Sequence, residues 1–328
     1  MKSTVFVLVI GLITLSHLYS TAADVPGQTR VAKWQDDKKA ALLLMFDDSM
    51  PSHVKNVVPE LKKRGFVGTF YVNPGSGSWA GKRVAWEHDI PEIGMVYGNH
   101  TNTHKGILSV ENGEEEVGLC NDVIHKLFKT QQATRLVSFG VPGVPKEKWS
   151  ITKPQLKELL DKHNLVERPH VGDRFASINL KTSADMLKVV DKAIETGVMD
   201  SIAFHGVGGE WLSATVETFM ELMDGLTARK EKLWITDHIS AYAYETERGS
   251  AEVKVLDATE KQIRLLLSCK ADPKLFDHAL TLVTNVPAAW TKVDVTQGSR
   301  RAVVGASAGH VMFDALPSSE AIVLEPGK

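Results

Sequence analysis

Two aspartates stand side by side, Asp47 and Asp48, at the end of the apolar run AALLLMF that begins at Ala40. A solvated turn accounts for one acid at such a place. Two adjacent carboxylates closing a buried-looking strand suit a metal ion or a transferred proton. Further along, YGNHTNTHKG sets His100 and His104 at i and i+4. On a helix or a helix-like turn that spacing puts both imidazoles on one face. The segment lacks the Glu of an HExxH motif, so zinc-protease chemistry does not fit. A third feature, SIAFHGVGG, ends an apolar run on His205. Two His and one carboxylate supply three ligands and leave positions open for water and substrate, as a catalytic metal requires. The other aspartate is then free to act as base, and a distant His can act as acid.

The elements that must position these residues are readable in outline. From about Val31 to Tyr244, strand-like runs (AALLLMF, GTFYVN, LVSFGV, SIAFHGV, KLWITD) alternate with segments whose apolar residues recur at i, i+3 and i+4. Gly65 and Gly197 follow two of those helical segments, as helix C-termini favour. Alternation of this kind predicts parallel strands in an α/β barrel or open sheet, with the site where strands end and loops begin. After YETERGSAE the pattern changes to short, alternating, turn-separated runs (EVKVLD, KQIRLLLSC, HALTLVTNV, RRAVVGASA, HVMFDAL, AIVLEP). These predict a small antiparallel, sandwich-like β domain.

The chain has 328 residues, 43% hydrophobic and 24% charged, with a net charge of -2, so one large or two unequal domains are expected. With no basic excess to neutralise phosphates, nucleic acid is excluded as the main partner. Lys2, the apolar stretch Val5 to Leu15 and the small residues of STAAD read as a secretory signal over residues 1–22, too short in its apolar core to be a lasting membrane span. The mature protein is therefore expected to be exported, periplasmic or extracellular. Cys120 and Cys269 are the only cysteines. They cannot build a Cys-rich zinc site, and Cys120 is expected as a buried thiol.

FDD, HTNTH and the strand ending FHG, taken together and in this order, resemble the first, second and fifth motifs of the polysaccharide deacetylases, carbohydrate esterase family 4. GTFYVN is similar to that family's second strand, and the resemblance covers roughly Lys38 to Tyr244. It implies a distorted (β/α) barrel over residues 23–248 and leaves 249–328 as the C-terminal β domain. It also implies a divalent metal, zinc first, on Asp48, His100 and His104, with Asp47 as general base and His205 as the acid that protonates a leaving amine. The reaction implied is removal of acetyl groups (N-acetyl, with O-acetyl as a variant) from a glycan. Pro142 is retained from the third motif, and the Gly143 backbone N–H would serve the oxyanion by analogy. The family's third-motif Arg, which orients the base, is replaced here by Gly140. Arg168 or Arg174 is expected to reach Asp47 in its place. Asp173 is the candidate for the fourth motif.

Other features point elsewhere or nowhere. GASAG at Gly305–Gly309 matches a serine-esterase elbow but lies among β-type runs. GSGSWAGKR is a near miss for a phosphate loop and is expected as a flexible loop. Trp211 is expected in the core, whereas Trp79 is balanced between core packing and facing a sugar. His53, His88, His125, His170 and His238 carry no partner pattern and are read as surface or structural. The acidic run Glu114 to Glu116 is expected at a helix start, where carboxylates are favourable. Two readings stand beside the deacetylase: a catalytically silent glycan-binding protein that has lost turnover with the motif Arg, and a metal-dependent hydrolase of a non-glycan amide.

Overall fold

The computed structural model describes residues 25–128 and 136–327. The expected signal segment lies outside the described residues. Fifteen strands are found among the described residues, beginning with β1 (Thr29–Val31). Seven of them, β2 (Ala40–Asp47), β3 (Thr69–Val72), β4 (Val96–Asn99), β5 (Val137–Phe139), β6 (Leu165–Glu167), β7 (Met199–Phe204) and β8 (Leu233–Thr236), form one parallel sheet. Its order is β6-β5-β4-β3-β2-β7, with β8 paired to the first half of β2. The sheet curls, and Arg174–Ala176 beyond β6 hydrogen-bonds to Ala203 of β7 at the opposite edge. This is the distorted (β/α) barrel that the resemblance implies, one of the two architectures the alternation left open.

β2 explains why two acids end a wholly apolar strand. All eight of its residues are buried, because helices cover one face and the barrel interior the other. Side chains alternate along it. Leu42, Leu44 and Phe46 face the helical layer, where Phe46 stacks between Phe70 and Phe204 with centroids 4.9 and 5.3 Å away. Leu43 and Met45 face the interior with Tyr71 and Ala203. Asp47 is next on that interior face, and Asp48 follows it out of the strand. The helical layer includes Val58–Arg64, closed by Gly65 at φ 68°, and Ser183–Thr196, closed by Gly197 at φ 72°.

Eight antiparallel strands make the second unit: β1 together with β9 (Glu252–Ala258), β10 (Ile263–Ser268), β11 (Leu280–Asn285), β12 (Lys292–Gln297), β13 (Arg300–Gly305), β14 (His310–Ala315) and β15 (Ile322–Pro326). They form sheets β1-β11-β14 and β13-β12-β15-β10-β9, facing across a core of Leu265, Leu282, Val293, Phe313 and Leu324. The β domain read from the sequence as 249–328 thus takes in a strand from the other end of the described chain. Thr29–Val31 pairs with β11 and not with the barrel. GASAG is the turn between β13 and β14, where Ser307 and His310 exchange backbone hydrogen bonds, so no nucleophile elbow exists. GSGSWAGKR is likewise no loose loop: Ser76 caps a short helix, Gly77–Ala80, whose Trp79 is buried. No helix of the described residues is long and apolar enough to cross a membrane.

The two units meet along the helix His238–Gly249, where Tyr244 donates to the Ala32 carbonyl. Glu247 on the same helix is 1% exposed and accepts from the His278 backbone N–H. Burial pushes its carboxyl up from 4.5 to about 7. An acid whose folded pKa is raised adds stability below its unfolded pKa and loses it as pH rises through the folded value. Wild-type stability relative to Glu247→Gln should therefore fall steadily between about pH 4.5 and 7. Parallel urea curves across that range, giving a constant difference, would contradict this placement.

Candidate active site

The site forms where β2, β4 and β7 end. Asp48 leaves β2 in a left-handed conformation, φ 75°, followed by Ser49 at φ 51°. Such geometry costs on the order of 1–3 kcal/mol per residue and persists only where neighbours enforce it. Here Ser49 Oγ accepts from the Asn73 N–H, and the buried Asn73 amide donates to the His100 and Thr101 carbonyls at 2.6 and 2.9 Å. Thr101 and His104 are also left-handed, at φ 63° and 60°. The two histidines therefore do not lie on a helix or a helix-like turn. An irregular loop brings them together, and Glu116 holds it by accepting from the Thr103 N–H and hydroxyl. Glu116 belongs to a helix that starts at Val110 with Ser109 as its cap, so the acidic run is inside the helix, where Glu114 also has partners in Lys162 and His163. Cys120 is buried on the same helix.

Asp48, His100 and His104 offer one ligand atom each within 4.8 Å of one another. Nε2 of His104 and of His100 lie 3.1 and 3.4 Å from Asp48 Oδ1. That oxygen is buried and has no hydrogen-bond partner. Burial alone would raise the Asp48 carboxyl, yet the two imidazoles, when their Nε2 atoms carry protons, hold it below the usual carboxylate range. His100 Nδ1 donates to the Gly140 carbonyl at 2.7 Å, which in the neutral ring leaves the Nε2 lone pair facing Asp48. An orphaned carboxylate oxygen beside two imidazoles fits a divalent cation, and borderline donors of this kind suit zinc or cobalt among others.

Asp47 is 1% exposed. Arg168, just after β6, meets it with both ends of the guanidinium: Nη1 to Oδ1 at 2.6 Å and Nη2 to Oδ2 at 2.8 Å. Burial would raise the Asp47 carboxyl, and the Arg168 charge overrides it and holds the group ionised. Of the two arginines expected to reach Asp47, Arg168 does so. Arg174 does not; it pairs with Asp200 and Asp173, outside the site. The absent third-motif Arg is accounted for by space. A Cβ on Gly140 would fall 3.0 Å from Arg168 Cζ and Nε and 2.9 Å from the Tyr71 ring, so that place is filled from the neighbouring strand. Asp173 is largely exposed and does not serve as a fourth-motif acid at the site.

His205 follows β7, its ring stacked on Phe175 at 4.9 Å and edge-on to Trp211 at 5.0 Å. Its Nε2 is 3.9 Å from Asp48 Oδ2, and its Nδ1 is buried with no partner. Burial lowers its pKa against the pull of Asp47 and Asp48. Three side chains of one helical turn secure the loop that carries it. Ser52 Oγ accepts from Val207 N–H, Asn56 donates to the Val207 carbonyl, and His53 Nε2 lies 2.5 Å from the His205 carbonyl. His53, read from the sequence as surface or structural, is thus a buried support of the site. A periodic SHVKN segment directly after the acids was the available signal.

All five residues border a cavity of about 490 Å³ together with Arg168, His170 and Gly143; Pro142 is buried beside it. Val141 and Ile178 line its mouth, as does Trp211 at 63% exposure. Of the two tryptophans, Trp79 takes the core alternative and Trp211 departs from the core place expected of it. Trp79 stacks on Trp86 at 5.7 Å in the core, whereas Trp211 stands open at the cavity.

Residues 35–153 match the polysaccharide deacetylase family model, which bears out the resemblance over the segment holding both aspartates and both histidines. The chain is 21% identical over 299 residues to a gellan lyase from a Bacillus species. That alignment takes in 83% of this chain and spans only 12% of the relative's length. Among solved structures, a family 4 carbohydrate esterase from Streptomyces lividans in complex with acetate is similar at a TM-score of 0.44 and 18% identity, over 60% of this chain and 91% of that one. A family 4 pseudoenzyme from Bacillus anthracis is similar at 0.43 and 17%, over 61% and 64%. An acetyl xylan esterase from Clostridium thermocellum, in complex with a cobalt ion, is similar at 0.40 and 21%, over 60% and 87%. The fold described above rests on this chain's own strand pairing.

Chelator-stripped protein titrated with Co²⁺ or Zn²⁺ should take up one ion per chain. Asp48→Ala and His104→Ala should each weaken uptake by more than the about 10–100-fold that losing an outer-shell partner costs. Undiminished uptake in both variants would exclude these ligands.

Proposed function

We propose that this chain is a hydrolase that removes acetyl groups from a glycan, N-acetyl in the first place, using a divalent cation held by Asp48, His100 and His104. The observation that carries the reading is the buried, ionised Asp47, pinned by Arg168 and bordering the same cavity as the three ligands and His205. A bound divalent cation supplies Lewis acidity toward the acetyl carbonyl and lowers the pKa of water.

The chain's own groups do the rest. Asp47 takes a proton from the attacking water as its oxygen bonds to the carbonyl carbon. The Gly143 N–H, at the cavity edge, is the candidate donor to the oxygen that becomes negative. His205 gives a proton to the nitrogen as the carbon–nitrogen bond breaks, and an imidazole with a lowered pKa is a stronger acid when it carries that proton. Acetate and a free amine leave, and the proton on Asp47 restores His205. The pairing of Asp47 with Arg168 sets orientation at some cost in basicity. The open indole of Trp211 offers an apolar face against which a pyranose ring can lie.

The Arg168 pair supports this reading over the silent binder. A protein that only binds has no use for an oriented second acid beside the ligand acid. Acetate release should be measured from N- and O-acetylated chitin, peptidoglycan and xylan fragments, with zinc-loaded protein, after chelation, and with Asp47→Ala. Release that chelation abolishes and Asp47→Ala lowers by about 10²-fold or more is expected. A chain that binds metal and fragments but releases nothing would establish the silent binder.

A further inference from the structure

The third side of the Arg168 guanidinium is a ring. We propose that Tyr71 is a positioning residue for Asp47: its face carries the Arg168 guanidinium, and its hydroxyl, anchored through Ser138 to His238, holds that face in place. The proposal rests on the deacetylase reading only for its kinetic consequence, because the geometry is independent of substrate.

Tyr71 lies in register with Asp47 across the β2–β3 pair, on the same interior face. Arg168 Cζ sits 4.2 Å from the ring centroid, within cation–π range, and its side chain is mostly buried. The ring is fully buried, and its hydroxyl lies 2.7 Å from Ser138 Oγ, which lies 2.7 Å from His238 Nδ1. These three residues come from β3, β5 and the start of the helix that follows β8, so the chain of hydrogen bonds crosses the barrel interior. Burial and the nearby Arg168 charge push His238 down to about 4, so it stays neutral and adds no second cation beside the guanidinium. In either direction of proton donation the hydroxyl is fixed.

The surrounding backbone is cut to fit the ring. A Cβ on Gly98 of β4 would lie 2.6 Å from Tyr71 Cδ1, and one on Gly140, just past β5, would lie 2.9 Å from it. The ring edge also meets His100, at 6.1 Å between centroids. Simple core filling would explain the burial. It would not require a hydroxyl anchor of two further buried polar residues, nor a guanidinium over the ring whose N–H groups donate to Asp47. An Arg brought in from β6 must be stopped at the correct depth, and the ring is the surface that stops it.

The test uses the full zinc-loaded chain and the acetylated fragment that gives most acetate. Tyr71→Phe, which keeps the face, should retain kcat within about threefold, while Tyr71→Leu should lower kcat about tenfold or more with KM little changed. In an Arg168→Met background, Tyr71→Leu should change kcat less than about twofold, since both residues act through one carboxylate. An equal loss in that background would overturn the proposal. Should Tyr71→Leu not fold, Ser138→Ala, which frees only the hydroxyl, should give a smaller kcat loss that likewise vanishes in Arg168→Met. A loss that persists there overturns it equally.

A second readout needs no substrate. In arginine-labelled protein the Arg168 Nε–H resonance should be shifted upfield by the ring in wild type and Tyr71→Phe, and return to the ordinary range in Tyr71→Leu. An unshifted wild-type resonance would defeat the proposal whatever the activity. A shifted resonance in a chain that releases no acetate would leave Tyr71 holding Arg168 and would remove the deacetylase reading alone.

Discussion

The structure depends on an ionised carboxylate placed where a parallel strand has no water to offer it. Period-two alternation along β2 assigns Asp47 to the barrel interior with Leu43 and Met45. A lone charge there would be neutralised by protonation. Arg168 prevents that with two parallel hydrogen bonds, which fix the plane of the carboxylate as well as its charge. Other local features follow. Gly140 has no side chain because the guanidinium occupies the space, and its freed carbonyl orients His100. One pair thus connects Asp47, the candidate cation site and the ring beneath them.

The three candidate ligands are held by loops and not by regular structure, and the loops are held by amides, hydroxyls, one imidazole and one carboxylate. Asn73 and Glu116 secure the His100–His104 turn, while Ser52, His53 and Asn56 secure the backbone after His205. Four left-handed residues without glycine, Asp48, Ser49, Thr101 and His104, cluster around the candidate cation site. Their strain is offset by these partners and aims three ligand atoms at one point.

Much of this was legible in the sequence, for reasons that can be named. β2 was legible because burial on both faces leaves an unbroken apolar run, and the acids were conspicuous at its end. The histidine pair was found by a helical spacing that the loop does not use, although the loop still brings both imidazoles beside Asp48. β4 escaped notice because it is short and contains Gly98, which the Tyr71 ring demands. Arg168 could be narrowed to a choice with Arg174 but no further. The choice is made by the Arg168 N–H bonding to Phe139 O, which sets Arg168 opposite Gly140. His53 and His238 were illegible as members of the site's support, since their partners lie 152 and 100 residues away. The open position of Trp211 was equally hidden, because loop packing decides it.

The most direct measurement of the central claim is a double-mutant cycle on Asp47 and Arg168, read by urea unfolding at neutral pH. Arg168→Met leaves a buried carboxylate uncompensated and should cost about 3–5 kcal/mol, whereas Asp47→Leu/Arg168→Met should recover most of that loss. Strictly additive losses, or an Arg168→Met chain as stable as wild type, would contradict the account of how this barrel carries its interior charge.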